Sequence, residues 1–355
     1  MVIIADSSLR QEILELEFDA LGVASANPSK TWPAYMQAIA NPVPPQLEYL
    51  RRNASCRSGF DDIMPGTQSI LCCAIELPLF RDDTPCHYAR FCAIGDYHQV
   101  IREQLSKLDI ILRKHFPIKN SRICVDTAPV LERELAVRAG LGNIGFNRMV
   151  IHPHFGSFIA LGELFIDHDL TIWRNDIEIN VCHDIPDSAY VPGSCGCCFE
   201  SERRCIAACP TGALSQAGYD FNRCIAYWTT QHKGMIPAPI DRAIGNCLWG
   251  CDRCQNACPR NTHKQPIRKM PDAHPLHKLT LSEILTLSAR QLRKRLSGSC
   301  IADAHPYMLQ RNACIVIANT HDLAHASLLG NIAETHDCDW VRETAKKMAA
   351  RMEHP

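Results

Sequence analysis

Between positions 195 and 258 the chain reads CGCCFESERRCIAACP, then CIAYW, then CDRCQNACP. Half of its 20 cysteines lie there. Thiolates at this density bind zinc, build iron–sulfur clusters or pair as disulfides. Two of the runs end in CxxxCP, at Cys209-Pro210 and Cys258-Pro259. In an iron–sulfur run of that form the cysteine before the proline serves the neighbouring cluster. A short loop wraps one cube with three thiolates, and the chain then leaves for the other. The spacing therefore assigns Cys195, Cys198, Cys205 and Cys258 to one [4Fe–4S] cluster. Cys209, Cys224, Cys251 and Cys254 go to a second.

Zinc would accept the CxxC pairs, and disulfides would need an oxidising compartment; the two CxxxCP ends favour clusters over both. The first loop is irregular, because FESERR puts six residues between its second and third cysteines where a compact run has two. Cys197 is an alternative to Cys198, and Cys247 reads as a bystander of the last run. The start, MVIIADSSLRQEILELEF, has no basic segment ahead of an apolar one. With so many cysteines, a reducing cytoplasm is the expected location.

The elements that must position these groups follow from composition and periodicity. The 355 residues, 46% of them apolar, allow two or three domains with real cores. A net charge of −1 excludes a whole-molecule pull on phosphate, so any nucleic-acid contact needs a local basic patch. No apolar run approaches the roughly 20 residues of a membrane helix. Residues 7–22 read as an amphipathic helix capped by Ser8 and ended by Gly22. SILCCAIELPLF (69–80) fits a buried strand, residues 97–116 a long helix, SRICVDTAPV (121–130) a short strand into a turn, and 156–167 another buried strand. Helices alternate with strands, so residues 1–190 are expected to form an α/β domain.

Three stretches there carry more than packing. Asp126 follows a strand, where α/β folds place ligands; its bland reading is a helix cap. Gly140, Gly142 and Gly145 follow a helix rather than a strand, which rejects a dinucleotide loop. A turn that lets backbone approach a large flat cofactor fits them better. His98 could ligate a cofactor, although a lone histidine at a helix start is usually structural. Arg57 could clamp a phosphate or amide, although a surface arginine is the default.

Taken together, DTAPVLERELAVRAGLGNIGFNRMVIHPHFGSFIALGELFID and GCDRCQNACPRN resemble the epoxyqueuosine reductase family. GDYH and MPGT upstream, and LSGS and QRNACIVIAN downstream, extend the match collinearly from about residue 57 to 319. The resemblance implies a cobalamin-dependent reductase with two [4Fe–4S] clusters, related in design to reductive dehalogenases. It would remove the epoxide oxygen of epoxyqueuosine at the wobble position of tRNA. It implies Asp126 as the proton donor, and Arg57, Cys92, Arg133 and Ser157 as residues around the corrinoid. The family pattern GWTGKN becomes GNIGFN here, with Asn143 and Phe146 in place of tryptophan and lysine. Its CISY run, with an acidic residue soon after, becomes CIAY, with Ala226 and then Gln231.

Opening an epoxide and releasing its oxygen as water needs two electrons and two protons. No side chain stores electrons at low potential, so cofactors must supply them. Asp126 would serve as the acid if burial among Val125, Ala128 and Val130 raises its pKa. A soluble low-potential donor, a tRNA substrate and a monomer are the expected partners and state.

Residues 191–268 are expected to form a ferredoxin-like double-cluster domain, and 269–355 a helical region with about one HEAT-like pair. Residues 281–299 read as one helix with a basic end. Arg260, Lys264, Arg268, Lys269 and the triplet Arg293, Lys294 and Arg295 could contact tRNA phosphates; a solvated helix face is the bland alternative. Two other functions compete: the same cofactors acting on a small molecule, and a ferredoxin-like electron carrier, which would need neither the acid nor the corrinoid.

Overall fold

The computed structural model describes residues 7–78, 86–170, 180–181, 186–193, 198, 203–261 and 275–353. The first helix, α1 (Ser7–Leu14), is shorter than its periodicity suggests. Glu17 takes a left-handed backbone (φ 56°), and the chain enters β1 (Ala20–Ser25). Gly22 sits inside that strand opposite Cys72 and Asn180, so it ends no helix. Pairing to the sheet has overridden the local helical pattern.

After α2 (Trp32–Ala40) and α3 (Tyr49–Arg52) come β2 (Ser69–Glu76), β3 (His87–Tyr88), α4 (Tyr97–His115), β4 (Ser121–Cys124) and α5 (Glu132–Arg138). A hairpin, β5 (Asn143–Ile144) with β6 (Val150–Ile151), leads to β7 (Ile159–Ile166) and β8 (Asn180–Val181). The main sheet runs β4-β7-β2-β1-β8, and only the β1–β8 pair is parallel. The region is thus mixed α/β with a largely antiparallel sheet. Alternating helices and strands specify layers, while strand direction follows from how neighbouring apolar faces match.

Every residue of β2 is buried, because both faces of the sheet are covered. Leu71, Cys73 and Ile75 face one core, which α1 and α4 complete. Ile70, Cys72 and Ala74 face the other, under α5. This is the period-2 alternation of a strand. Asp96 caps α4 by accepting the His98 N–H at 3.0 Å. The sheet face under α5 carries Glu163, opposite Cys72 on β2 and Cys124 on β4.

The cysteine-rich segment contains two matching short helices, α6 (Arg204–Ala207) and α9 (Arg253–Asn256), packed on each other. Between them lie the ribbon β9 (Leu214–Ser215) and β10 (Gly218–Tyr219), α7 (Ile225–Thr230), α8 (Ile240–Ala243) and β11 (Cys247–Trp249), which pairs with β3. The C-terminal helices are α10 (Leu281–Thr286), α11 (Ala289–Leu296), α12 (Pro306–Asn319), α13 (Ala326–Thr335) and α14 (Asp339–Glu353). Residues 281–299 therefore form two helices rather than one. Each has a capping box, Thr280 with Glu283 and Ser288 with Gln291, and the second box ends the first helix.

These helices share one core with α7 and β11, joining Ile225, Leu248 and Trp249 to Leu309, Val316 and Met348. At its centre the Arg311 side chain is fully buried. Its guanidinium donates to the carbonyls of His232 (2.7 Å), Gly234 (2.8 Å) and Trp228 (2.7 Å) and to Asn312 Oδ1. The Asn312 amide donates in turn to Thr229 O and Leu248 O, both at 2.9 Å. Burial lowers the Arg311 pKa to about 9, so it stays charged at neutral pH.

An Arg311→Met substitution would strand those carbonyls. At ~1–3 kcal/mol for each buried unsatisfied group, we expect a loss of about 3 kcal/mol or more in denaturant unfolding. Arg311→Lys should recover little of it, since an ammonium cannot span the same carbonyls. Unchanged unfolding midpoints would show that the hub contributes no stability.

Candidate active site

Three parts of the fold meet around a cavity of about 680 Å³. The sheet region lends Leu77, Asp126, Glu132, Arg133 and Ser157; the cysteine-rich segment lends Thr230, Gln231, Lys233 and Trp249; and the C-terminal region lends Arg293, Cys300 and His305.

Asp126 follows β4 directly and adopts a left-handed backbone (φ 55°), which aspartate tolerates better than most residues. That turn points its N–H at Glu132, whose Oε1 accepts it at 2.5 Å. Tyr97 and His98 open α4 over the same strand end. The Tyr97 hydroxyl donates to Asp126 Oδ2 at 3.0 Å, and His98 Nε2 lies 3.3 Å from that oxygen. The other ring nitrogen, Nδ1, is 2.7 Å from Asp96 Oδ1. A neutral imidazole can donate to only one of these carboxylates, whereas an imidazolium serves both. The His98 pKa is raised accordingly, first by the Asp126 hydrogen bond and then by Asp96, against the burial that opposes it.

The expected elevation of the Asp126 pKa is not found. The hydrogen bond from His98, joined by Tyr97, outweighs burial and holds the carboxyl below its usual range. Its side chain is 58% exposed to the cavity. The group that burial does lift is Glu132, helped by the Asp126 charge, to about 7.

Two glycines show how closely the backbone is packed here. A Cβ on Gly142 (φ 153°) would lie 2.3 Å from the Ile151 carbonyl oxygen, so this glycine admits the β5–β6 hairpin rather than a flat cofactor. A Cβ on Gly156 (φ 68°) would lie 2.0 Å from Asn261 Oδ1. That closeness lets Asn261 accept the Ser157 N–H at 2.9 Å and donate to Ser157 Oγ at 2.9 Å. Ser157 Oγ also donates to Gln255 at 2.9 Å. Ser157 thus joins the sheet region to the last cysteine run.

Of the expected corrinoid neighbours, Arg133 and Ser157 line the cavity. Arg57 does not: it is buried, donates to Asn53 O at 2.7 Å and stacks on Tyr35. Cys92 is fully buried behind the wall, where its thiol meets that of the lining residue Cys300. Of the possible phosphate contacts, Arg293 lines the cavity and Arg295 pairs with Glu283. Lys264, Arg268 and Lys269 lie outside the described residues, as do Cys195 and Cys197.

Among the described cysteines, Cys224, Cys251 and Cys254 lie close enough to act on one another; burial and the other two sulfurs raise the Cys254 thiol. Cys209 behaves differently: despite burial, the N–H groups of Leu214, Thr211 and Ala213 and the Thr211 hydroxyl hold it low, favouring a thiolate ligand. Cys247, read as a bystander of the last run, hydrogen-bonds Cys251. The thiols supply the soft donors that iron–sulfur clusters require.

The family model for a 4Fe-4S double cluster binding domain matches residues 193–261, and the model described as Epoxyqueuosine reductase QueG matches residues 57–127. The Vibrio cholerae epoxyqueuosine reductase is 29% identical over 88% of this chain and 83% of its own length. The Salmonella typhimurium enzyme is 31% identical over 88% of this chain and 79% of its own. The chain belongs to the epoxyqueuosine reductase family. A crystal structure of such a reductase with a tRNA-Tyr epoxyqueuosine-modified stem loop superposes with a TM-score of 0.78, at 27% identity, over 97% of this chain and 89% of that one. Within the family pattern, only one of this chain's four departures, Gln231, lines the cavity; Asn143, Phe146 and Ala226 do not. Phe146 packs instead beneath the Arg203 guanidinium, 4.2 Å from ring centre to carbon.

The His98–Asp126 pair has a definite pH window. His98, with a raised pKa, contributes fully below the ordinary imidazole range and loses the contribution as pH rises through its folded value. Asp126, with a depressed pKa, contributes above the ordinary carboxylate range and loses it as pH falls. The pair is complete between roughly pH 4 and 6.5. Replacing His98 with Phe should move the Asp126 titration upward, read by carboxyl NMR of the ¹³C-aspartate-labelled protein. No upward movement would separate the two side chains electrostatically.

Proposed function

We propose that this protein reduces epoxyqueuosine to queuosine at the wobble position of tRNA. The observation that carries this reading is Asp126, held by His98 and Tyr97 and facing an open cavity beside the double-cluster domain. The relatives' names, and the stem loop bound in the solved structure, support the substrate. The cytoplasm is where such a substrate is found. Electrons would come from a soluble low-potential donor through the two clusters. Their ligands would be Cys195, Cys198, Cys205 and Cys258 for one, and Cys209, Cys224, Cys251 and Cys254 for the other.

The cavity suits a corrinoid. Its volume lies within the ~300–1,000 Å³ of cofactor sites. Leu77, Phe91, Ile159 and Leu161 give it an apolar wall, with Arg133 and Ser157 at the polar edge. When bound, held by residues such as Arg133 and Ser157, the corrinoid would supply a redox-active metal for the two electrons that the reaction consumes. The remaining work falls to this chain. Leu77, Phe91 and Trp249 exclude water. Asp126 presents its carboxylate to the departing oxygen and passes on the proton it shares with His98. Tyr97 and the Asp126 N–H, through Glu132, fix the carboxylate's orientation. Lys233 and Arg293 at the cavity wall would meet phosphates of an entering strand.

Anaerobic protein supplied with cobalamin, a low-potential reductant and epoxyqueuosine tRNA should yield queuosine, read by nucleoside analysis. Asp126→Asn should retain iron and corrinoid but lose about 10²-fold or more in turnover. Product formation from a halogenated small molecule and none from tRNA would favour a different substrate. Absence of corrinoid uptake would point to an electron carrier. Separately, Cys254→Ala should lower iron content and bleach part of the cluster absorbance; unchanged iron would remove it from the ligand set.

A further inference from the structure

Reduction of an epoxide to an alkene breaks both C–O bonds, forms a C=C bond and consumes two electrons and two protons. The oxygen leaves as water. On the reading above, the donor and clusters supply the electrons, and the His98–Asp126 pair holds one proton. The second proton has no assigned source.

We propose that Glu132 is a second catalytic acid of this cavity, holding the proton that completes the water. Three observations place it there. Glu132 lines the cavity on the same side as Asp126. Its Oε1 is 2.5 Å from the Asp126 backbone nitrogen, so its carboxyl shares the turn that aims Asp126 at the substrate. Beneath it, Glu163 on β7 has no exposed surface, and neither of its carboxylate oxygens has a partner among the described residues.

The surroundings explain why Glu132 keeps a proton. An unpartnered buried carboxylate is too costly to ionise, so Glu163 stays neutral. It therefore offers Glu132 neither a countercharge nor relief from burial. The flanking groups from β2 and β4, Cys72 and Cys124, are buried thiols raised well out of the titrating range. Asp126 contributes a negative charge that favours protonation of Glu132. The Asp126 N–H that Glu132 accepts, Arg133 on the same helix and the nearby His98 oppose it but do not prevail. Burial is the largest cause, and the Glu132 pKa rises to about 7. Three carboxyls thus form a graded series: Asp126 held low, Glu132 raised to about 7, and Glu163 raised further by full burial. Environments that separate the pKa values of neighbouring acids are how enzymes assign donor and acceptor roles.

This inference rests on the reductase reading, but its first test does not. In protein that holds its clusters but no corrinoid, labelled with carboxyl-¹³C glutamate and with Glu132→Gln for assignment, Glu132 should titrate near neutrality. In Asp126→Asn it should titrate lower, because a charge that raised it is gone. A Glu132 that titrates as an ordinary carboxylate, or does not respond to Asp126→Asn, would overturn the proposal whatever the substrate. In single turnover with epoxyqueuosine tRNA, Glu132→Gln should lose about 10²-fold and the basic limb of the pH profile. Glu132→Asp should recover part of both. Iron content and thermal midpoint, matched to the parent, show that the variant is folded. A wild-type rate and profile in Glu132→Gln would refute the second acid. No turnover in the parent protein itself would refute the substrate reading instead, leaving the titration result standing.

Discussion

A single buried guanidinium fixes the geometry on which the site depends. Arg311 spans the carbonyls of residues 228–234, and its neighbour Asn312 holds Thr229 and Leu248. Residues 230, 231 and 233 line the cavity, and Cys224 and Cys251 lie just beyond the two tethered segments. No carboxylate pairs with Arg311 among the described residues, so peptide dipoles, one side-chain amide and the face of the Trp340 ring compensate its charge. Such an arrangement tolerates little displacement, because any shift leaves a buried charge unsatisfied. The C-terminal helices therefore do more than offer a surface. They fix the wall of the site and the frame of the last cysteines together.

The seam at Ser157 has the complementary role. Its hydroxyl and N–H are exchanged with Asn261 and Gln255, just after and within the final cysteine run. The acid groups of the sheet region are thereby held in register with the thiols that carry electrons. Gly156 is required for this approach, because a side chain would displace Asn261. Proton-holding and electron-carrying parts come from different stretches of chain, and these short polar contacts align them.

Some of this arrangement was legible in the residues alone. The CxxxCP runs could be read because ligand spacing is local, and Asp126 because a carboxylate at a strand end is a local pattern. The buried strands showed as apolar runs for the same reason. The helix expected through Gly22 was not correct, since β1 is selected by its pairing with β2 rather than by its own periodicity. The break between α10 and α11 was written in the sequence, as Thr280 with Glu283 and Ser288 with Gln291, but the continuous apolar spacing masked it. The roles of Tyr97, His98 and Glu132 could not be read. Each depends on α4 and α5 meeting the end of β4. A glutamate in a first helical turn looks like a partner for the helix dipole whether or not a cavity lies beside it. Arg57 and Cys92 do not line the cavity for the converse reason: sequence proximity to a site does not determine which side of the wall a side chain occupies.

The depressed Asp126 is the feature that most changes the chemistry. An acid that is neutral through burial delivers its proton and must then carry an uncompensated charge in an apolar site. Asp126 avoids that cost, because His98 and Tyr97 already solvate its ionised form. On the proposed reading, the proton shared by Asp126 and the imidazole, which Asp96 backs, would reach the carboxylate as negative charge develops on the departing oxygen. Transfer would then be coupled to bond breaking, and the pair would return to its starting state once the imidazole is recharged from solvent. A site working in this way would favour the transition state over the bound substrate, which is the condition for acceleration. The same reading accounts for Asp126 being open to the cavity while its partners are half-buried: the group proposed to meet the substrate is exposed, and the groups that set its charge are fixed by the fold.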